Sequence, residues 1–258
     1  MTFDSFPPAS SSPSPGVNLP PQPQTGVAVW LRRYRRYLPL PLILLCLVWL
    51  RPIMPGGSPL FDTLTDVIGV GVCLFGQWLR LWAWGSNATV GKWGVRDRGP
   101  YTLIQHPLYA GNFLIASGLV IIFNNPWAYI VLLGPFAYLY HVITIMEEKR
   151  MYRRFGDEYR QYRRHDTPRF FPALSNLGAA LRTTRPLDWR FAWRKEYESC
   201  CGWIAGVAAL EIYEGVLLRG WEGNWPYTTR WGAIIGLMGL ISLLIGARKN
   251  ARRSTLTK

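Results

Sequence analysis

Charge is scarce in this chain of 258 residues. Asp, Glu, Lys and Arg make up 17% of it, and acids are the scarcer kind: 15 Asp+Glu against 29 Lys+Arg, for a formal net charge of +14. A soluble nucleic-acid binder this basic carries many more charges and fewer tryptophans than the 13 found here. Cysteine is scarce as well. Cys46, Cys73, Cys200 and Cys201 form no Cys-x-x-Cys pair and no regular spacing, which excludes a disulfide scaffold and a zinc site of the usual kind. What abounds is apolar: 49% of residues, including 13 Trp and 13 Tyr. Collagen, a secreted mini-protein and a wholly disordered chain are excluded. The composition fits a protein of one or two domains whose apolar stretches sit in lipid, with its bases gathered on one side.

Residues 1–29 contain no Lys or Arg, a single acid (Asp4) and runs rich in Pro and Ser. Such a segment buries too little apolar surface to offset chain entropy, so a disordered tail is expected. Without a basic start it does not read as a signal peptide. The bases come next, as Arg32-Arg33-Tyr34-Arg35-Arg36, directly before an apolar stretch at Leu38–Leu50. Five more follow, at Thr63–Trp84, Leu108–Phe123, Trp127–Met146, Gly202–Leu218 and Trp231–Ala247. Several are shorter than the roughly 20 residues that span a bilayer upright. The second and third of these five are joined only by Asn124-Asn125-Pro126, which predicts an antiparallel helical hairpin.

Bases concentrate in segments 85–107, 147–200 and 248–258. The alternate loops hold only Arg51, then none, then Arg219 and Arg230. The positive-inside rule then predicts an all-α, multi-pass protein of about six spans with both termini cytoplasmic. Three parts are expected: the tail 1–29, a membrane domain 30–172, and a linker with a C-terminal helix pair over 173–258. Gly202-x-x-x-Gly206 and Gly232-x-x-x-Gly236 suggest that this last pair packs through small faces. Glu211 and Glu214 share one face of the fifth stretch. They are either functional carboxylates or helix-register contacts that approach Arg80 or the interface.

Two polar clusters stand out, both on the predicted cytoplasmic side. The first runs from Arg96 through Gly99-Pro100-Tyr101 to His106-Pro107-Leu108-Tyr109-Ala110-Gly111 and enters a membrane helix. Pro107 suits the first turn of that helix, where its missing N–H costs nothing. Free backbone donors there favour an anionic ligand group, and His106 and Tyr109 add side-chain donors. The second cluster is Glu147-Glu148, followed by Phe155-Gly156-Asp157-Glu158-Tyr159 and Thr167-Pro168-Arg169-Phe170-Phe171-Pro172. Two carboxylates at a helix C-terminus oppose the helix dipole and call for a positive partner, either Arg or a cationic ligand. The short turn of the hairpin returns Glu147 to the face that holds His106 and Tyr109.

Gly99-Pro100-Tyr101, His106-Pro107-Leu108-Tyr109-x-Gly111, Glu147-Glu148, Phe155-Gly156-x-x-Tyr159-x-x-Tyr162 and Pro168-Arg169-x-x-Pro172, in that order, resemble the isoprenylcysteine carboxyl methyltransferase and phospholipid methyltransferase superfamily. The resemblance spans about residues 60–172. It implies an integral-membrane enzyme that binds S-adenosylmethionine at its cytoplasmic face and acts on a lipophilic substrate, with no nucleic-acid partner. Tyr101, His106, Pro107, Leu108, Tyr109 and Glu147 fall on cofactor-contacting positions, and Val95 and Arg96 on a further contacting stretch that begins near Trp93. That stretch lacks the His often found at its start, and Gln105 stands where the family usually has Arg.

In the isoprenylcysteine branch an Arg one turn before the cofactor Glu binds the substrate carboxylate; here that place is Ile143. Arg150 and Arg169 are the candidate replacements, and a lipid amine, a thiol or an isoprenylcysteine-like carboxylate stays open as acceptor. No metal site is expected. Two other functions stay open at this point: a membrane sterol or enone reductase using NADPH, and a non-enzymatic membrane scaffold. No glycine-rich dinucleotide fingerprint is visible, although such reductases need not carry one.

Overall fold

The structure, a computed structural model, describes residues 39–53, 59–90, 94–157, 159, 162, 167–169, 171–184 and 186–256. The tail 1–29, the basic run Arg32–Arg36, Trp93 and Glu158 lie outside the described residues. Within them the chain is helical and has no strand. The main helices are α1 (Pro39–Trp49), α2 (Pro59–Ser86), α3 (Pro107–Phe123), α4 (Pro126–Phe155), α5 (Leu177–Thr183), α6 (Trp189–Gly223) and α7 (Trp225–Leu256). Within the described residues, each of the six apolar stretches lies on one of these helices, apart from Leu50 just past the end of α1. Helices α2, α4, α6 and α7 are long and apolar enough to cross a membrane, while α3 is a shorter apolar helix of 17 residues. The protein is a multi-pass helical membrane protein.

The hairpin forms as expected, and its turn shows why. Asn124 closes α3 in the left-handed region at φ 50°, which Asn tolerates better than most residues. Asn125 then caps α4 by accepting from the Trp127 N–H, and Pro126 takes the first helical position. One turn later the helix widens into a π-turn over Tyr129–Leu133, just before Pro135. A proline inside a helix clashes with the carbonyl four residues back and supplies no N–H, and a wider turn relieves both problems.

The closest backbone approach is between α2 and α3. A Cβ on Gly69 would lie 2.7 Å from the Gly118 carbonyl oxygen, and one on Gly76 would lie 2.7 Å from that of Gly111. The seven-residue spacing recurs on both helices in opposite senses, so the two run antiparallel with their glycines in register. Helix α6 packs on this pair through Trp203 and Val207, which meet Cys73, Ile115 and Ile122. Helix α1 is tied on by Tyr213, whose hydroxyl donates to the Leu47 carbonyl at 2.5 Å.

The small faces expected between the last two helices are used differently. Gly202, Gly232 and Gly236 have open space where a Cβ would point, and Gly206 faces Leu119 of α3. Helix α7 instead rests on α6 with the apolar window of its span entirely unburied within the protein. The spacing alone could not tell a glycine that meets a helix from one that meets lipid.

Candidate functional site at one end of the bundle

Two polar ends define the bundle. At one end Arg51, Asn124 and Asn125 converge, with the Asn125 amide donating to the Arg51 carbonyl at 2.7 Å. The other end gathers the two clusters marked by the sequence. There α2 finishes at Ser86, and the 94–106 segment folds back over it. Asn87 holds that segment by donating to the Arg98 carbonyl at 3.1 Å. Gly99 follows at φ 61°, with any Cβ directed into Ser86, so the Gly99-Pro100-Tyr101 turn needs glycine for both conformation and space.

Tyr101 is tucked beneath this turn. Burial pushes its phenol above the usual value, and the hydrogen-bonded Arg96 guanidinium partly offsets that. Glu147 of α4 lies close enough to act electrostatically on the same phenol. Arg96 also lies over the Trp84 ring, 4.6 Å from its centroid. Val95 is buried beside it.

His106 occupies the N-cap position of α3, and Pro107 the first helical position, as its sequence predicts. The His106 ring lies 5.8 Å from that of Tyr109, which in turn lies 4.8 Å from Tyr140 of α4. Phe113 and Phe136 continue this aromatic bridge between the hairpin helices. The Leu108 carbonyl faces the Arg80 guanidinium of α2 at 3.5 Å.

The Glu148 carboxylate lies beside His106, with Oε1 3.6 Å from His106 Nε2. That is longer than a hydrogen bond, and the buried Nε2 has no hydrogen-bond partner. Glu148 is 4% exposed and pairs with Arg169 at 2.8 Å. Arg169 is placed there by Gln105, whose backbone N–H donates to the Pro168 carbonyl at 3.0 Å and whose side-chain amide donates to that of Thr167 at 2.6 Å. The departure at Gln105 thus keeps a donor where the resemblance expects one. Of the candidate residues, Val95, Arg96, Tyr101, His106, Pro107, Leu108, Tyr109, Glu147 and Arg169 converge at this end. Arg150 is exposed on α4, and Arg169 is held by a carboxylate.

Sequence reading missed a second set of residues behind these. Arg80 ion-pairs with Glu196 of α6 at 2.6 Å, rather than with Glu211 or Glu214. Those two lie instead within electrostatic reach of Asp62 and Arg219, toward the other end. Gln77, Arg80 and Trp84 fall at helical spacing on one face of the otherwise apolar second half of α2. That polar stripe was the available signal. Among the described residues, no group of three or more His, Cys, Asp or Glu is placed to hold a metal ion.

Comparison with known proteins adds to this geometry. The chain is 35% identical over 119 residues to the cobalt-zinc-cadmium resistance protein CzcN of Cupriavidus metallidurans, covering 46% of this chain and 52% of that one. It is 32% identical over 110 residues to the nickel-cobalt-cadmium resistance protein NccN of Alcaligenes xylosoxydans xylosoxydans, covering 42% and 49%. The chain thus spans about half the length of these curated relatives. No solved structure matches at a significant level. The phospholipid methyltransferase family matches residues 64–158, from the body of α2 through the carboxylate pair on α4. The segment that builds the site is therefore similar to the phospholipid methyltransferase family, itself part of the isoprenylcysteine carboxyl methyltransferase-like superfamily.

Proposed function

We propose that this protein is a membrane methyltransferase that takes its methyl group from S-adenosylmethionine, at a site facing the cytoplasm, and delivers it to a lipophilic acceptor. One observation carries the reading: within the family-matched segment, the buried His106 Nε2, without a hydrogen-bond partner, sits beside Tyr109 and 3.6 Å from the Glu148 carboxylate of α4. A buried nitrogen of this kind awaits a ligand group.

The residues present suit that cofactor. Its positive end finds the Glu147 carboxylate and the rings of Tyr101 and Tyr109, which attract cations by charge and by their π faces. His106, the Tyr109 hydroxyl and the Leu108 N–H at the start of α3 would hold its carboxylate. When bound, S-adenosylmethionine supplies an electrophilic methyl on a sulfonium that departs as a neutral thioether. The chain's task is then to position the reactants and exclude water. The aromatic bridge of Tyr109, Tyr140, Phe113 and Phe136 provides a dry wall for this.

The acceptor we infer is a lipid amine or thiol. Ile143 is 3% exposed and offers no cation, while Arg169 is engaged by Glu148, so an acceptor carboxylate finds no ready partner. An amine entering a low-dielectric site loses its proton more easily than in water, which frees its lone pair for attack.

Titration of the detergent-purified protein with S-adenosylmethionine tests the cofactor. Saturable binding is expected, and Glu147→Gln is expected to weaken it about ten- to a hundredfold, as loss of a charge-assisted hydrogen bond does. Binding of NADPH instead, or unchanged affinity in both Glu147→Gln and His106→Ala, rejects the reading. Label transferred from S-adenosylmethionine into membrane lipid is expected to resist mild alkali, whereas alkali-labile methyl ester would restore a carboxylate acceptor. Cysteines introduced at Arg96 and Asn125 are expected to label from opposite sides of the membrane, with Arg96 on the cytoplasmic side.

A further inference from the structure

We infer that Glu196, which lies outside the family-matched segment, is a positioning residue of the site: through Arg80 and Trp84 it sets the start of α3 and the 96–101 turn in the arrangement that accepts the cofactor. The inference rests on the methyltransferase reading above and gives the C-terminal helix α6 a part in it.

The Glu196 carboxylate is 1% exposed and accepts from three residues of α2. Gln77 donates at 3.3 Å, Arg80 donates at 2.6 and 2.9 Å to the two oxygens, and the Trp84 indole N–H donates at 2.6 Å. One buried acid thus gathers the whole polar stripe of that helix. Two of the three donors then reach the site. Arg80 turns its remaining nitrogen to Asn112 Oδ1 and to the Leu108 carbonyl, in the first turns of α3. Asn112 in turn donates to the Tyr140 hydroxyl at 2.8 Å, and Tyr140 packs on Tyr109 beside His106. The second branch runs through Trp84. Its ring lies under the Arg96 guanidinium, and Arg96 is hydrogen-bonded to Tyr101. Lys195 approaches the same ring at 5.4 Å, so the neighbour of Glu196 on α6 also supports it.

Stability alone does not call for this arrangement. Helices α2 and α6 already share an apolar cluster of Cys73, Trp203 and Val207, and a buried ion pair is rarely more stabilising than well-packed apolar residues. What apolar packing lacks is direction. A carboxylate held by both oxygens fixes the rotation of a guanidinium and an indole, and these orient the helix start and the turn that carry His106 and Tyr101. Helix α6 brings that carboxylate from a segment about 40 residues beyond the end of the family match.

The test compares binding with stability in the full chain. S-adenosylmethionine affinity and melting temperature are measured for the wild type, Glu196→Gln, the charge-neutral pair Arg80→Met with Glu196→Gln, and Tyr140→Phe. Glu196→Gln is expected to weaken binding about tenfold or more. The pair removes the unpaired charge, so it is expected to recover the melting temperature but not the affinity. Tyr140→Phe keeps both charges and removes only the hydroxyl that accepts from Asn112. It is expected to lose affinity by a smaller factor, with only the small fall in melting temperature that the loss of one hydrogen bond brings. Should Glu196→Gln fail to fold, the pair and Tyr140→Phe decide the matter. Affinity that recovers together with melting temperature in the pair, or is unchanged in all variants, reduces Glu196 to a helix fastener and overturns the inference. A wild-type protein that binds no S-adenosylmethionine overturns the methyltransferase reading itself, and this inference with it.

Discussion

Helices α3 and α7 are both apolar and both border α2 or α6, yet the protein treats them oppositely. Helix α3 lies so close to α2 that glycine faces glycine twice, and Arg80 of α2 is bonded to its first turns. Helix α7 leaves its apolar window entirely open and has free space beside Gly232, Gly236 and Gly239. In lipid, apolar character gives a helix no preference between a neighbour and an acyl chain. Small residues that admit a backbone, and polar groups that require a partner, choose the contacts. The site is built where both devices act together.

The largest effect expected from testing that contrast is at Arg80. Arg80→Ala leaves Glu196 buried without its ion-pair partner, and breaking such a pair costs about 3–5 kcal/mol. Thermal unfolding in detergent should show this as a steep fall in midpoint. A change no greater than that of an exposed substitution means that the pair is not buried as described.

Next comes a matched glycine pair. The added Cβ of Gly118→Val would sit 2.5 Å from Cys73 Sγ and 2.5 Å from the Gly69 carbonyl oxygen, and overpacking of this kind costs about 1–3 kcal/mol. Gly236→Val on α7 meets nothing within 4 Å and should stay within about 0.5 kcal/mol of the wild type, the usual range for unconstrained positions. Equal losses at the two positions erase the distinction between the helices.

The smallest effect sharpens the site end. Tyr162 donates to the Tyr101 carbonyl at 2.9 Å, so Tyr162→Phe should cost about 1 kcal/mol. Burial raises both phenols above their ordinary values. As pH rises past about 10 the unfolded chain ionises its tyrosines first, so it binds fewer protons than the fold and stability must fall. Wild-type protein should therefore lose stability above about pH 10, and Tyr162→Phe should lose less. Parallel pH profiles would place the effect elsewhere.

The parts of the site that sequence reading found share a local cause. His106-Pro107 is a helix start by the geometry of proline, Asn124-Asn125-Pro126 is a turn by the chemistry of its caps, and a turn that short must return Glu147 toward His106. Glu148 and Arg169 stood in the second polar cluster, but their pairing depends on Gln105 drawing the 167–168 backbone alongside, which no spacing displays. Glu196 was passed over because it lies in a charged stretch where a solvated acid is the ordinary expectation. Glu211 and Glu214 drew attention instead, since carboxylates amid apolar residues stand out by composition.

By itself the sequence determined the all-helical membrane character, the placement of the six apolar stretches on helices and the hairpin turn. These follow from hydrophobic length, proline and caps, all of which act within a few residues. Only the tertiary structure decided which glycines touch, which acid answers Arg80, and that α6 closes over the family-matched segment while α7 stays at its edge. Those choices depend on groups about 35 or more residues apart in the chain meeting in close contact, and a helix in lipid carries no local mark of the neighbour it will meet.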